Sequence, residues 1–412
     1  MKVNQIFTKT NKSLNEEIKA KSHNLLIRGG FINQEMAGIY TILPLGYKVL
    51  RKIENIIREE MDLIGGQEIL MPALHPKENW IQSKRWESLD VLFKVKSRWG
   101  SSEYALGPTH EEIVFPLVGK FISSYKDLPI SVYQIQSKFR DEKRAKSGII
   151  RGREFGMKDM YSFHENQEDL SSYYEKAKSA YLKIFKRCGV NAKVTKASGG
   201  SFTKKYSHEF MAISEAGEDL IFACKSCVYA ENSEVSSLKE GDSCPECNDK
   251  IKTFKAIEIG NIFDLGKKFC EDFNVSYTDK NGEKKFPITG CYGIGTTRLI
   301  GSIVESSNDD RGIIWPDSVS PFSIYLISLE GCYDEAEEIY KKLKEKNVEI
   351  LFDDREDKGP GEKFADADLL GIPIRAVVSK KTIKDNKIEI KKRNSQEIDL
   401  INIQDFLKNY DK

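Results

Sequence analysis

Residues 130–142 read ISVYQIQSKFRDE, and this stretch narrows the fold more than any other. In a strand, successive side chains point to opposite faces. Tyr133, Ile135 and Phe139 then share one face, while Gln134, Gln136, Lys138, Arg140 and Glu142 share the other. The first face suits a core. The second is too polar for one, so the segment reads as a strand that offers polar side chains to a ligand. After the loop EKRAKSG a second strand is expected to resume at Ile149, giving an antiparallel pair joined by a long basic connection. Between Lys138 and Arg153 that connection holds seven cations against Asp141 and Glu142. The whole chain carries 64 Lys+Arg against 63 Asp+Glu, a net charge of +1, which argues against a polycation that coats nucleic acid. An anionic partner must be met locally.

With 412 residues the chain is expected to form two or three domains. Residues 46–65 have apolar side chains near the 3.6-residue period at Val49, Ile53, Ile56 and Ile57, so a helix is expected there. Gly65-Gly66 ends it, and a short strand leads to Pro72. A further helix is expected over 167–189. Beyond residue 320, strands FSIYLISL, VEILFDD, IPIRAVVS and KIEIKK alternate with helical segments, the pattern of a small separate α/β domain. The amino terminus lacks the apolar stretch of a secretory signal, and no run of about 20 apolar residues is present to span a bilayer. The expected compartment is the cytoplasm.

Two C-x-x-C pairs, Cys224/Cys227 and Cys244/Cys247, stand sixteen residues apart (228–243). That spacing fits a four-cysteine zinc ribbon, in which four thiolates leave no open position for catalysis, so a zinc ion there would be structural. The alternative is a set of reduced thiols.

Six motifs occur in a fixed order: LPLG (43–46) leading to Pro72, GPTHEE (107–112), FRDE (139–142) with REFGMKDMYSFH (153–164), SHEF (207–210), GCYGIG (290–295) followed by Arg298, and DDR…GEKFADADLLGIP (353–373). Together they resemble class II aminoacyl-tRNA synthetases, and in detail the bacterial type of prolyl-tRNA synthetase, from about residue 15 to the carboxy terminus. The resemblance implies an α+β fold. A class II catalytic domain over 1–320 would have an antiparallel sheet flanked by helices, with a small zinc-ribbon-like insertion at 222–250. An α/β anticodon-binding domain over 321–412 would follow. It also implies the substrates ATP, with Mg²⁺, proline and tRNA(Pro).

Arginine suits such chemistry, because its guanidinium grips phosphate or carboxylate bidentately and stays charged. By resemblance Arg140 bridges the α-phosphate and the amino-acid carboxylate, and Arg151 and Arg298 hold the distal phosphates. Phe155 stacks on adenine, Glu142 contacts it, and Glu258 meets magnesium or ribose. The resemblance names Arg140 and Arg298 as the catalytic pair. Thr109 and Glu111 would accept from the secondary ammonium of proline, with Met157, His208, Phe210 and Cys291 as walls. Lys143, Arg144 and Lys146 would meet the acceptor end of the tRNA, and Asp354, Arg355 and Lys363 the anticodon. Lys138 and Arg153 are left without a role.

Many bacterial relatives carry a large editing domain where this chain has only the short segment from Tyr229 to Phe254. The resemblance therefore implies that editing of mischarged alanyl-tRNA falls to a separate deacylase, and that the enzyme is a homodimer. Rival readings are another class II synthetase, threonyl- or glycyl-specific, and a non-catalytic synthetase-like RNA-binding protein. The last predicts loss of Arg140, Glu142 or Arg298, and all three are present.

Overall fold

The computed structural model of the chain describes residues 1–13, 20–200 and 205–410. These residues divide into two compact units, one of Met36–Ile39 and Ile53–Ser302, the other of Met1–Glu35, Tyr40–Lys52 and Ile303–Lys412.

The first unit is built on a sheet that is nine-stranded among the described residues. Its centre is four long antiparallel strands, Ile130–Phe139, Glu154–His164, Ile288–Gly295 and Ile251–Gly266. Tyr206–Ile213 and Asp219–Cys224 both pair with Ile251–Gly266, and Gln67–Glu68 adds a short parallel edge beside Val132 and Tyr133. The helix Gln167–Arg187 covers one face, burying Leu170, Ala177, Ala180, Tyr181, Ile184 and Phe185. Asn166 caps its start by accepting from Asp169 N, and Lys186 and Arg187 sit at its carboxyl end, where cations favour the helix dipole. The opposite face carries a core of Val114, Phe115, Val118, Tyr161, Phe163, Phe269 and Cys291.

The second strand of the basic hairpin begins at Glu154, paired with Phe139, and not at Ile149. Ser147 and Gly148 both take the left-handed conformation, with φ of 60° and 65°. Gly148–Ile150 then forms one 3-10 turn that buries Ile149 and Ile150. Apolar content there signals a plug, not a strand. The stretch from Gln67 to Pro72 is likewise mostly irregular, with ladder bonds only at Gln67–Glu68. The helix before it, Pro44–Leu63, forms as its period predicts.

In the second unit, strands Ile324–Ser328, Ile350–Asp353 and Ile374–Val378 are parallel, with Lys387–Lys392 and Asp399–Asn402 added antiparallel. Helices Tyr333–Glu345 and Pro360–Leu370 make the crossovers between the parallel strands. Met1–Glu35 and Tyr40–Lys52 join this unit through specific bonds: Lys2 bridges in parallel to Phe352, and Lys48 pairs with Glu349 at 3.0 Å. No described helix is long and apolar enough to cross a membrane.

Candidate active site

Strand register decides which side chains meet. Directly paired residues share a face, so Gln134, Asp159, Gly293, Asn261 and Glu209 form one row across five strands. Val132, Tyr161, Cys291 and Phe263 form the next row on that face, and Gln136, Met157 and Gly295 another. Gly293 lies in the floor of this face. A Cβ there would stand 2.8 Å from Asn261 Oδ1, so glycine keeps the floor bare.

The polar face expected from Gln134 to Arg140 is present, but its middle is buried rather than open. Lys138 is 0 % exposed, and its ammonium lies 2.7 Å from Asp159 Oδ1 and 2.7 Å from His110 Nδ1. Asp159 also accepts from Gln134 Nε2 at 3.1 Å and Tyr161 Oη at 3.0 Å. His110 must then accept at Nδ1 and donate from Nε2 to Pro72 O at 3.1 Å. Burial and the Lys138 charge hold that imidazole neutral, its pKa pushed down to about 3. Lys138 thus gains a structural role, fixing the loop that carries Thr109 and Glu111.

Thr109 Oγ1 donates to Glu111 Oε2 at 2.5 Å, and the Cys291 thiol lies 3.5 Å from Glu111 Oε1. Burial, with the Glu111 charge beside it, pushes the thiol pKa up, so Cys291 acts as a neutral wall. Arg140 is half-buried, its Nε and Nη2 each 3.4 Å from Pro108 O, and its guanidinium lies 5.1 Å over the Phe155 ring. Arg298 donates to Ile150 O at 2.8 Å, to Glu258 O at 2.7 Å and to Glu258 Oε2 at 3.3 Å. Arg151 is held on Glu142 Oε2 at 2.9 Å and on Glu218 Oε2 at 2.6 Å. Lys146 reaches the same Glu218 at 3.2 Å, while Lys143 and Arg144 are exposed. Arg153 ties the loop's root to Ala37 O at 2.7 Å.

Two expected proline-pocket residues lie elsewhere. His208 and Phe210 flank Glu209 in one strand and therefore face the opposite side of the sheet. There His208 Nδ1 meets Tyr174 Oη at 2.8 Å, and Phe210 packs on the Tyr181 and Phe185 rings, all from the covering helix. Glu209, which the motif reading passed over, is the member of SHEF that faces the site. It shares that region with Glu258 and Asp219. Burial and the Glu258 charge raise Glu209 to about 8, and burial with the same neighbour raises Asp219 to about 6. In the second unit, Asp354 and Arg355 are half-buried, but Lys363 is 2 % exposed with its ammonium on Ser328 O at 2.7 Å. Lys363 supports the Asp353–Arg355 pair from beneath.

The four cysteines converge. Their sulfurs lie within 4.8 Å of one another, with Cys224–Cys247 and Cys227–Cys244 both at 3.5 Å. A tetrahedral zinc with Zn–S near 2.3 Å sets sulfurs about 3.8 Å apart. Backbone N–H groups of Ser226 and Tyr229 point at Cys224 and Cys227 sulfurs at 3.3 and 3.5 Å. The donor set fits zinc.

Residues 93–307 match the family described as tRNA synthetase class II core domain (G, H, P, S and T), and residues 323–411 match the anticodon binding domain. The chain is 35 % identical to a proline–tRNA ligase from Caldicellulosiruptor saccharolyticus, spanning 99 % of this chain and 98 % of the relative. The chain belongs to the prolyl-tRNA synthetase family. A second family member, the proline–tRNA ligase of Aquifex aeolicus, is 33 % identical over 99 % of both chains. Each of these alignments runs over 565 positions against 412 residues here, so a long stretch of each relative has no counterpart. In fold, the chain resembles the prolyl-tRNA synthetase from Cryptosporidium parvum solved with L-proline and AMP. The TM-score is 0.79 at 18 % identity, covering 97 % of this chain and 75 % of that one.

Proposed function

We propose that this family member joins proline to tRNA(Pro) in two steps, through prolyl-adenylate, using the residues gathered on the open face of its sheet. One observation carries this assignment of residues. The buried acceptor pair Thr109–Glu111 and the guanidinium of Arg140 flank one loop, a carboxylate for an ammonium and a cation for a carboxylate.

Proline brings its own nucleophile, so no side chain has to take a proton. Glu111 and Thr109 accept the two N–H bonds of the secondary ammonium, and Cys291 and Met157 wall the ring. Arg140 draws the substrate carboxylate and the α-phosphate together, which otherwise repel, and so lowers the barrier by positioning and charge neutralisation. Phe155 stacks on adenine and Glu142 accepts from it. Arg151 and Arg298 are held by carboxylates that phosphate oxygens replace when ATP enters. Mg²⁺, bound with ATP, neutralises phosphate charge. Glu209, Asp219 and Glu258 fit a cation: burial, and after it the Glu258 charge, raises the first two, and a bound positive charge would offset both.

The exposed Lys143, Arg144 and Lys146 receive the acceptor end of tRNA. Asp354 and Arg355 read anticodon bases, and Arg355 lines a cavity of about 410 Å³ together with Asn4, Lys9 and Lys358. Zinc in the four-cysteine cluster is structural. Leu63 and Leu70, both 77 % exposed beside the edge strand Gln67–Glu68, are the seat of homodimerisation. The enzyme works in the cytoplasm, within a catalytic domain of 1–320 and an anticodon domain of 321–412. Proline-dependent ATP–pyrophosphate exchange tests the reading. Arg140→Ala is expected to lower it by roughly 10²–10³-fold, the scale for losing one preorganised charge. Exchange driven by another amino acid, or retained without Arg140, would overturn it.

A further inference from the structure

Arg85 belongs to none of the motifs, yet it is the cation against the acceptor loop. It follows the short helix Lys77–Gln82, and its backbone N–H returns to Trp80 O at 2.9 Å. Its side chain is 6 % exposed, stacked 5.4 Å over Trp80 and 5.6 Å over Phe269. From there Nη1 lies 3.0 Å from Glu112 Oε1 and 3.4 Å from Glu111 Oε2, and both carboxylates are 0 % exposed. Ser83 Oγ adds a 2.8 Å bond to Glu112. No substrate atom needs to touch Arg85 or Glu112.

The charges near this loop can be summed. Lys138 and Asp159 cancel, His110 is neutral, and the Cys291 thiol and Tyr161 hydroxyl are protonated. Arg140 is matched to the substrate carboxylate. What remains is Glu111, Glu112 and Arg85, which carry two negative charges and one positive when both carboxyls are ionised; burial, with Glu111 beside it, raises the Glu112 carboxyl to about 7, and the Arg85 guanidinium opposes that rise. Buried carboxylates side by side cannot both stay ionised alone, and one captures a proton. We propose that Arg85 is a positioning residue that cancels Glu112, leaving Glu111 with the one negative charge that the prolyl ammonium completes. The inference rests on Glu111 being the acceptor for proline.

The test uses four variants of the full-length protein and separate KM values for proline and ATP in pyrophosphate exchange. Arg85→Gln leaves two buried carboxylates that capture one proton; Ser83 favours the charge on Glu112, so the proton that settles on Glu111 removes the acceptor, and the proline KM is expected to rise about tenfold or more, with the ATP KM within about twofold. Glu112→Gln leaves Glu111 matched to Arg85 and is expected to raise the proline KM in the same way, although Glu112 touches no substrate. The double variant removes Glu112 as a competitor and places the one negative charge on Glu111, so its proline KM should return toward the parent value. A purely structural role would make the two losses add.

A double variant no better than either single one, or an Arg85→Gln proline KM within about twofold of the parent, would overturn the proposal. If Arg85→Gln does not fold, the double variant decides, because it buries one carboxylate where Arg85→Gln buries two. Glu111→Gln separates this inference from the reading beneath it. An unchanged proline KM there refutes Glu111 as the acceptor. A raised one with a normal Arg85→Gln refutes only the role of Arg85.

Discussion

Glu209 concentrates the electrostatic problem of the site in one side chain. Its carboxyl is half-buried among other acids and binds a proton far more tightly in the folded chain than an ordinary glutamate near 4.5 does. A group whose pKa rises on folding favours the native state at low pH and loses that advantage as pH climbs toward the raised value. The window here runs from about 4.5 to about 8. His75 and His110, held neutral by burial, work in the opposite sense lower in that window. Lys158, whose ammonium burial brings down to about 7, opposes the acid between about pH 7 and pH 8. The comparison with Glu209→Gln isolates the acid: the melting temperature of the nucleotide-free parent should lose ground to that of the variant as pH rises through this interval, and equal slopes would count against the raised pKa. Alternation along one strand predicted the polar face of Gln134, Lys138 and Arg140 correctly. The same rule says that His208 and Phe210 cannot share a face with Glu209. Which of the two faces the site depends on pairing with Ile251–Gly266 and on a bulge between Phe210 and Met211, and no local pattern announces either.

Elements with a strong period, such as Pro44–Leu63 and Gln167–Arg187, form where apolar spacing puts them. Segments whose apolar residues plug a gap do not, and Ile149–Ile150 is the clear case. That turn matters to the basic loop, because its plug and the Arg153–Ala37 bond together hold the loop's carboxyl-side root while Arg144 is exposed to solvent. Replacing Arg144 with Ala should therefore leave pyrophosphate exchange within about twofold and weaken transfer to tRNA, more at higher salt. Equal loss in both steps would place Arg144 in the adenylate site instead. The cysteine element is different, since its spacing alone foretold convergence of all four thiols. Its own core is small, with Cys224, Cys244 and Ile251 as the buried members. Metal is then expected to hold it closed: the purified protein should carry one zinc per chain, and chelation should lower the melting temperature by about 5 °C or more. Full stability without metal would reduce the cluster to four thiols.

At the scale of the whole molecule, what the chain lacks shapes how accurately it can work. The site described above recognises an ammonium, a carboxylate and a small apolar ring. Alanine supplies the first two, its ammonium primary rather than secondary, and is smaller, so it loses apolar contact without meeting a clash. Apolar pockets discriminate such differences by about 10–200-fold, too little for translation. The resemblance implies that many bacterial members gain the missing accuracy from an inserted hydrolytic domain; this chain has the four-cysteine segment between Asp219–Cys224 and Ile251–Gly266. Four thiolates around a metal leave no position for an activated water, so the substitute cannot hydrolyse an ester. Alanyl-tRNA(Pro) made by the purified enzyme should therefore accumulate, and decay no faster with the enzyme present than without it. Adding a separate deacylase specific for that ester should clear it, while prolyl-tRNA(Pro) persists. Enzyme-dependent loss of the alanyl ester would locate an editing activity within these 412 residues and refute the division of labour.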